Sequence, residues 1–282
     1  MAQATIDLLA EGREINRKCP RRRGNVVYLP DQGSLVVAGD LHGHRRNFER
    51  IVTYADLAHH PDRHVVLQEI IHGGPQTATG GCLSYTLLLE AIRYKLHYAG
   101  QVHLIMGNHD TAYITGAEVM KDSREMNRAL SHGLETAFGL EVDRVETAFK
   151  EFLLSQPLAV KTENCLWVSH SLPSDRLVDQ FDPEILNREL TVEDCDKPGS
   201  VYLLTWGRRL SQALLNRMAQ TLGAEAFILG HQTQPDGWTR GGDNLIILAS
   251  EHNHGCFIHV DLDRYCNADH LEKSVRPLSS VL

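Results

Sequence analysis

Five short apolar runs, each followed by side chains that can donate to a metal, set the tightest limit on what this chain can fold into. They are Leu35 to Ala38, Val65 to Leu67, Val102 to Met106, Leu166 to Val168 and Phe227 to Leu229, and a sixth run, Leu245 to Leu248, has the same character. Short runs rich in β-branched residues and Leu, without polar alternation, are strands buried on both faces. Between them, Leu83 to Tyr98 and the longer stretch from Ala117 to Leu154, with a break expected near Gly139, carry apolar residues at the three- and four-residue spacing of helices. Strands interleaved with helices make the class α/β. Gly73, Gly74 and Pro75, the pair Gly80 and Gly81, Pro198 with Gly199, and Gly241 with Gly242 mark loops, and no long Ser/Pro/Gly linker separates two halves. The expected organisation is one domain over residues 25–282. A segment over residues 1–24 precedes it, with a short helix around Ile6 to Leu9 and a basic run, Arg21 to Arg23, that reads as solvated surface.

A chain of 282 residues can bury a sizeable core, and its formal charge of −8 is spread without a long single-sign block. That balance excludes a general attraction for nucleic acid or anionic membranes, so a polyanionic partner needs a local basic site. Met1 to Cys19 mixes Asp7, Glu11 and Glu14 among its apolar residues, so a signal peptide is not expected, and no apolar stretch is long enough to cross a membrane. The six cysteines (Cys19, Cys82, Cys165, Cys195, Cys256, Cys266) form no CxxC pair, and they read as reduced thiols in a cytoplasmic protein. Oligomeric state is left open.

The chemistry lies at the ends of the runs. In order they are Asp40 and His42, then Glu69, then Asn108 and His109, then His170, then His231. In open α/β sheets the carboxyl ends of strands converge on the ligand crevice, so donors distant in sequence can meet there. Any one of these histidines alone would be an ordinary core or surface residue; five run ends of one kind point to a site. Oxygen and imidazole donors together suit Mn, Fe or Zn. Two ions about 3.5 to 4 Å apart, bridged by a carboxylate such as Glu69, would activate water and neutralise phosphate oxygens. The segments Gly39 to His44 (Gly-Asp-Leu-His-Gly-His) and Gly107 to Asp110 (Gly-Asn-His-Asp) each place Gly where backbone can approach a ligand closely.

With these motifs the chain resembles the calcineurin-like metallophosphoesterases, and within them the phosphoprotein phosphatase branch, which includes bacterial diadenosine tetraphosphatases. The likeness runs from about Leu35 to Leu262. It rests on Gly-Asp-Leu-His-Gly, Met-Gly-Asn-His-Asp, Val-Ser-His-Ser and Leu-Gly-His-Gln, with Leu203 to Arg209 and Ala249 to Gly255 as weaker matches. The resemblance implies two mixed sheets packed together with helices outside. It implies that Asp40 and His42 hold one metal and Asn108, His170 and His231 the second. His109 would then protonate the leaving oxygen or bind the phosphate, with Asp110 beside it as a supporting carboxylate rather than a ligand.

One motif departs from the family. Where relatives read Gly-Asp-x-x-Asp-Arg-Gly, this chain reads Gln68-Glu69-Ile70-Ile71-His72-Gly73-Gly74. Glu69 keeps a bridging carboxylate one methylene longer, His72 stands where an Asp normally orients the catalytic His, and Gly73 where an Arg normally binds phosphate. A neutral imidazole cannot stabilise an imidazolium as a carboxylate does, which alters the behaviour expected of His109 as an acid. Arg208 and Arg209, or Arg45 after the first motif, are candidates for the missing phosphate clamp, because a guanidinium matches phosphate oxygens in a forked geometry. His252 and His254 are candidates for lining the mouth of the site. Three functions are compatible: a metal-dependent phosphomonoesterase of the protein phosphatase kind, a dinucleoside polyphosphate hydrolase, and a protein that binds metal or phosphate without turnover.

Overall fold

The computed structural model describes residues 1–121, 124–264 and 266–282. In chain order the strands are β1 (Arg22–Arg23), β2 (Val26–Leu29), β3 (Ser34–Asp40), β4 (Arg63–Gln68), β5 (Val102–Ile105), β6 (Met120–Lys121), β7 (Arg124–Glu125), β8 (Ala159–Thr162), β9 (Leu166–Ser169), β10 (Ala226–Leu229), β11 (Trp238–Gly242), β12 (Leu245–Leu248), β13 (Cys256–Asp261) and β14 (Val275–Pro277). The helices are α1 (Ala2–Arg17), α2 (Arg45–Ala55), α3 (Ser84–His97), α4 (Asn108–Thr115), α5 (Met126–Phe138), α6 (Val142–Leu154), α7 (Val192–Cys195), α8 (Ser200–Trp206), α9 (Gln212–Leu222) and α10 (Ala268–Lys273).

Two mixed sheets carry the fold, as the α/β expectation required. One has the order β1-β2-β8-β9-β10-β12-β11, the other β14-β13-β3-β4-β5. The period of two along each strand explains the unbroken apolar runs. In β3, Leu35 and Val37 belong to a core layer shared with Ala226 and Ile228 of β10 and Ile246 and Leu248 of β12, so they lie between the sheets. Val36 and Ala38 of β3, with Phe227 and Leu229 of β10, point the other way into a core that includes residues of the helices, such as Ile51, Leu88 and Leu215. Each such Val, Leu, Ile or Phe side chain, fully buried, contributes roughly 1.5–3 kcal/mol. An apolar residue is therefore favoured at every position.

All six expected runs are strands. The others are very short (β1, β6, β7 and β14) or mixed in polarity (β8 with Lys161, β11 with Arg240, β13 with His259), apart from β2, an apolar run of four. The helix expected from Ala117 begins only at Met126, because Gly116 ends α4 in the left-handed conformation (φ 76°) and β6 and β7 pair antiparallel before it. Residues 122 and 123 of that stretch lie outside the described residues. The break at Gly139 is present, between α5 and α6. The first helix is longer than the segment around Ile6 to Leu9 and packs on α6 and α3, burying Leu9. Arg21 and Arg23 are exposed as expected, but Arg22 is half-buried. Its guanidinium donates to the carbonyls of Gly24 (2.7 Å), Asn16 (3.3 Å) and Ser155 (2.5 Å) and to Asn25 Oδ1 (2.9 Å).

Candidate metal centre and active site

Parallel pairing aligns the carboxyl ends of β3, β4 and β5 in one sheet and of β9, β10 and β12 in the other. A single parallel bridge, Asp40 to Ala249, joins the two sheets at that edge, and Ser250 N donates to Asp40 O (3.1 Å). Every donor the sequence pointed to stands on this edge. Asp40 closes β3, and Glu69 follows β4. Asn108 and His109 open α4 just past β5, His170 follows β9, and His231 follows β10 after Gly230.

The ends turn sharply. Among the described residues six non-glycine residues have positive φ, and four of them are here: His42 (42°), Glu69 (46°), His72 (66°) and His231 (67°). Such conformations cost on the order of 1–3 kcal/mol each and concentrate where strain serves a site. Two glycines leave room for the carboxylates. A Cβ on Gly107 would fall 2.0 Å from Glu69 Oε2, and one on Gly230 would fall 2.3 Å from Asp40 Oδ1.

Asn108 Oδ1 lies 2.8 Å from both His170 Nε2 and His231 Nδ1. His170 Nε2 is 3.1 Å from Glu69 Oε2, and its Nδ1 is 3.0 Å from Gln68 Oε1. Gln68 Nε2 in turn donates to Ala38 O (2.9 Å). His231 N donates to Asp40 Oδ1 (2.9 Å), His109 N donates to Glu69 Oε1 (3.0 Å), and His42 Nε2 is 3.7 Å from Asp40 Oδ2. Two groups of potential ligand atoms come together, His42, Glu69 and His109 in one and Asp40, Glu69 and His170 in the other, each within 4.8 Å of one another. Glu69 belongs to both.

The electrostatics of these groups ask for a cation. Burial raises the Glu69 carboxyl well above the usual range, and the nearby Asp110 and Asp40 charges add to it, against the N–H groups of His109 and Asn108. Burial pushes Asp110 up to about 7. His170 is driven well below its usual value by burial and then by His231, and His231 falls to about 3 through burial and Arg208. Glu69 Oε2 and His231 Nε2 are buried and make no hydrogen bond, Glu69 Oε2 having only the ion-pair contact to His170 Nε2. Buried polar atoms normally make a hydrogen bond, and a positive ion beside each would satisfy it.

Other candidate residues fall at different distances from this cluster. The His72 ring is fully buried and sits 4.6 Å, centroid to centroid, from His109, which also meets His42 edge-on at 5.2 Å. Asp110 Oδ2 accepts from Gly107 N (2.8 Å) and so caps α4. Arg208 is exposed and its Nη1 donates to His231 O (3.4 Å), which places it at the rim. Arg209 is exposed beside it, and its carbonyl accepts from Asp175 N. Arg45 is paired with Glu90 and also reaches Thr86 Oγ1 at 3.3 Å. His252 places Nε2 2.8 Å from Gln234 O and accepts from His254 N (3.2 Å), while His254 is exposed.

Two contributors are weakly marked in the sequence. Gln68, part of the departure from the family motif, holds His170 through Nδ1; its mark is a second polar residue before Glu69 at the end of an apolar run. Trp206, whose ring lies edge-on to His231 at 6.2 Å, carried no signal beyond its place in a weak motif.

The model of the calcineurin-like phosphoesterase family matches residues 33–253. No match is found among curated proteins. Among solved structures, a serine/threonine phosphatase from Saccharomyces cerevisiae, described as similar to human phosphatase PP5, superposes with a TM-score of 0.69 at 15% identity, over 93% of this chain and 83% of that one. A cold-active protein-tyrosine phosphatase from a psychrophilic Shewanella species gives a TM-score of 0.60 at 16% identity, over 94% of this chain and 84% of that one. At these identities the likeness establishes the fold, and the comparisons do not show the narrower likeness to diadenosine tetraphosphatases. The family match covers well over half of the sequence, including every donor described above: the chain belongs to the calcineurin-like phosphoesterase family and is a phosphoester hydrolase.

Proposed function

We propose that the chain hydrolyses phosphomonoesters at a dinuclear centre of manganese, iron or zinc. The observation that carries this reading is Glu69, a fully buried carboxylate shared by two groups of close donors and left with one oxygen lacking a hydrogen bond. Asp40 and His42 would hold one ion and Asn108, His170 and His231 the other, with Glu69 within reach of both, although the close donor groups pair Asp40 with His170 and His42 with His109. The residues fit such a pair. Their mixture of oxygen and imidazole donors suits first-row ions, and their crowded buried carboxyls need positive charge.

When bound, the ions supply positive charge at the phosphate oxygens and an activated water. The protein supplies position and a proton. His109, at the start of α4 between His42 and His72, is assigned to protonating the leaving oxygen. Asp110 fixes the first turn of α4 and with it the placement of Asn108 and His109. Gln68 orients His170 by engaging Nδ1, which leaves Nε2 directed at Asn108 and Glu69. Arg208 serves as the phosphate clamp in place of the arginine that Gly73 displaces. Arg209 stands behind it, and Arg45 is committed to Glu90. His252 and His254 belong to the mouth. The six free thiols fit a cytoplasmic location for a domain that does not depend on disulfides.

The test is metal analysis together with turnover. Protein loaded with Mn(II) should carry two ions per chain and release p-nitrophenol from p-nitrophenyl phosphate. His109→Ala should lower kcat by about a hundred- to ten-thousand-fold, the usual contribution of a general acid. Fully loaded protein that leaves a broad panel of phosphoesters intact would sink the reading in favour of a metal- or phosphate-binding protein. Selective cleavage of diadenosine tetraphosphate over monoesters would replace it with a dinucleoside polyphosphate hydrolase.

A further inference from the structure

Arg208, the guanidinium assigned to the phosphate, is held only loosely by its own side chain. Its Nη1 makes one contact, 3.4 Å to His231 O, which is beyond the usual hydrogen-bond length. Its backbone is fixed far more firmly. The segment 207–211 that carries it lies against 170–175, the segment that starts with His170, and is tied there on both sides of Arg208. Before it, Ser171 Oγ donates to Gly207 O (2.5 Å) and Ser171 N to Leu204 O (2.9 Å). After it, Asp175 N donates to Arg209 O (3.1 Å), and the Asp175 carboxylate accepts from Ser211 N (3.0 Å) and from the Ser211 hydroxyl.

The two segments approach closely enough to dictate residue type. A Cβ on Gly207 would fall 1.7 Å from Leu172 O, so only glycine lets the backbones meet there. Beyond Arg208 the hold passes to a side chain. Asp175 spends both carboxylate oxygens on Ser211, which opens α9 as its N-cap with the hydroxyl oxygen accepting from Leu214 N (3.3 Å). Ser171 is buried, whereas Asp175 is exposed. The far end of the strap is therefore pinned by one surface carboxylate, whose chain segment begins at a histidine of the donor cluster.

We infer that Asp175 is a positioning residue for phosphate binding: it fixes the 207–211 strap so that Arg208 stays at the rim beside His231, and it acts on phosphate only through Arg208. This rests on the proposed role of Arg208 as the clamp and deepens it. A guanidinium whose backbone is already in place loses less freedom when phosphate binds, and that saving appears as affinity. The stretch from His170 to Asp175 then sets the distance between a metal ligand and the clamp. With glycine at position 73, where relatives have an arginine, that distance governs a larger share of the hold on phosphate.

Calorimetric binding of inorganic phosphate tests this without turnover, in protein loaded with Mn(II) and freed of excess metal. Arg208→Ala should weaken phosphate about tenfold and Asp175→Ala roughly three- to tenfold, each with the manganese content of the parent protein. In the double variant the loss should equal that of Arg208→Ala alone, because a residue that acts only through another adds nothing once that other is gone. Asp175→Asn, which still offers an oxygen to Ser211, should recover most of the affinity. Losses that add in the double variant, parent-like affinity in Asp175→Ala, or a fall in manganese content that accounts for the weaker binding overturns the inference. So does unaltered affinity in Arg208→Ala, since no clamp then remains to be positioned. The expected non-additive loss in protein that hydrolyses no phosphoester would leave the positioning role standing and remove the hydrolytic reading instead.

Discussion

The two ends of the same strands bury ionisable groups in opposite ways. At the amino ends of β4 and β5, His64 and His103 stack at 5.5 Å with ring nitrogens 3.3 Å apart, and Lys95 donates to Val102 O (2.8 Å). Burial lowers the pKa of all three, His64 and Lys95 to about 4 and about 8, so the two histidines are neutral at pH 7 while Lys95 keeps its charge. At the carboxyl ends burial instead raises Glu69 and Asp110, and the backbone is held left-handed at four non-glycine residues. A buried imidazole solves its desolvation by staying neutral. A crowd of buried carboxyls does so only by holding protons, as the raised Glu69 and Asp110 show, and a bound cation is the solution that leaves them ionised. Buried histidines alone are therefore no sign of a site; oxygen donors, strained turns and glycine-made room beside them are.

The largest expected effect tests that distinction directly. Glu69→Gln should abolish the shared ligand, lowering phosphoester hydrolysis by about a thousandfold, the scale of several kcal/mol of lost charge stabilisation. In the metal-free protein the same change should raise the melting temperature, since it removes a buried carboxyl that lacks a full set of partners. Steady-state kinetics and thermal melts in chelator read the two outcomes. A Glu69→Gln variant that is inactive and also less stable without metal would make Glu69 a structural residue.

The two ends should also answer pH in opposite directions when metal is removed. Asp110 has a folded pKa of about 7 against an unfolded value near 4, so its contribution is fully present below about pH 4 and is lost as pH rises through 7. His64 is depressed from about 6.5 to about 4, so its contribution is present above 6.5 and lost as pH falls through 4. Asp110→Asn, which preserves a capping side chain, should therefore gain stability relative to the parent protein as pH rises from 4 to 7, by on the order of 4 kcal/mol without metal. Bound metal should erase the gain. Chelated melts whose difference stays constant across this range would break the contrast.

How much of this was legible before the structure follows from the same physics. The donors could be read because each one interrupts an apolar run that has no other reason to stop, and six such runs fixed the α/β class. The strands of mixed polarity could not, because Lys161 in β8 and His259 in β13 blur the period that marks a strand. His252 and Arg45 have the right residue types at the right places in the chain. Their engagements with Gln234 O and Glu90 depend on loops and on α3, which no local pattern encodes. Gln68 was equally hidden: its value comes from His170, 102 residues away.

Gln68 also sets the middle of the scale. It touches no candidate oxygen ligand's partner atom directly but fixes His170 by a 3.0 Å contact at Nδ1 and is itself fixed by Ala38 O. Partners of metal-ligating histidines are typically worth 10- to 100-fold in metal affinity or activity, so Gln68→Leu should lose about that much. Gln68→Glu should retain more, because a carboxylate can still accept from Nδ1. Metal titrations of both variants decide it, and equal affinities in Gln68→Leu and the parent protein would remove Gln68 from the site.

The smallest effect is expected at Arg45, and it bears on which end of the cleft holds the phosphate. Arg45 and Glu90 are both about two-fifths exposed, 41% and 37%, and a surface pair of this kind is worth about 0–1 kcal/mol. Arg45→Ala should therefore cost little stability and change KM for p-nitrophenyl phosphate by no more than about twofold. Arg208, held at the rim by the His231 carbonyl and free of a carboxylate partner among the described ion pairs, should matter more, raising KM about tenfold when replaced by Ala, the scale of one charge-assisted hydrogen bond. The ranking, not either value alone, is the test. If Arg45→Ala raises KM further than Arg208→Ala, then Glu90 releases its partner when substrate arrives, and the clamp belongs to the first motif rather than to the loop after α8.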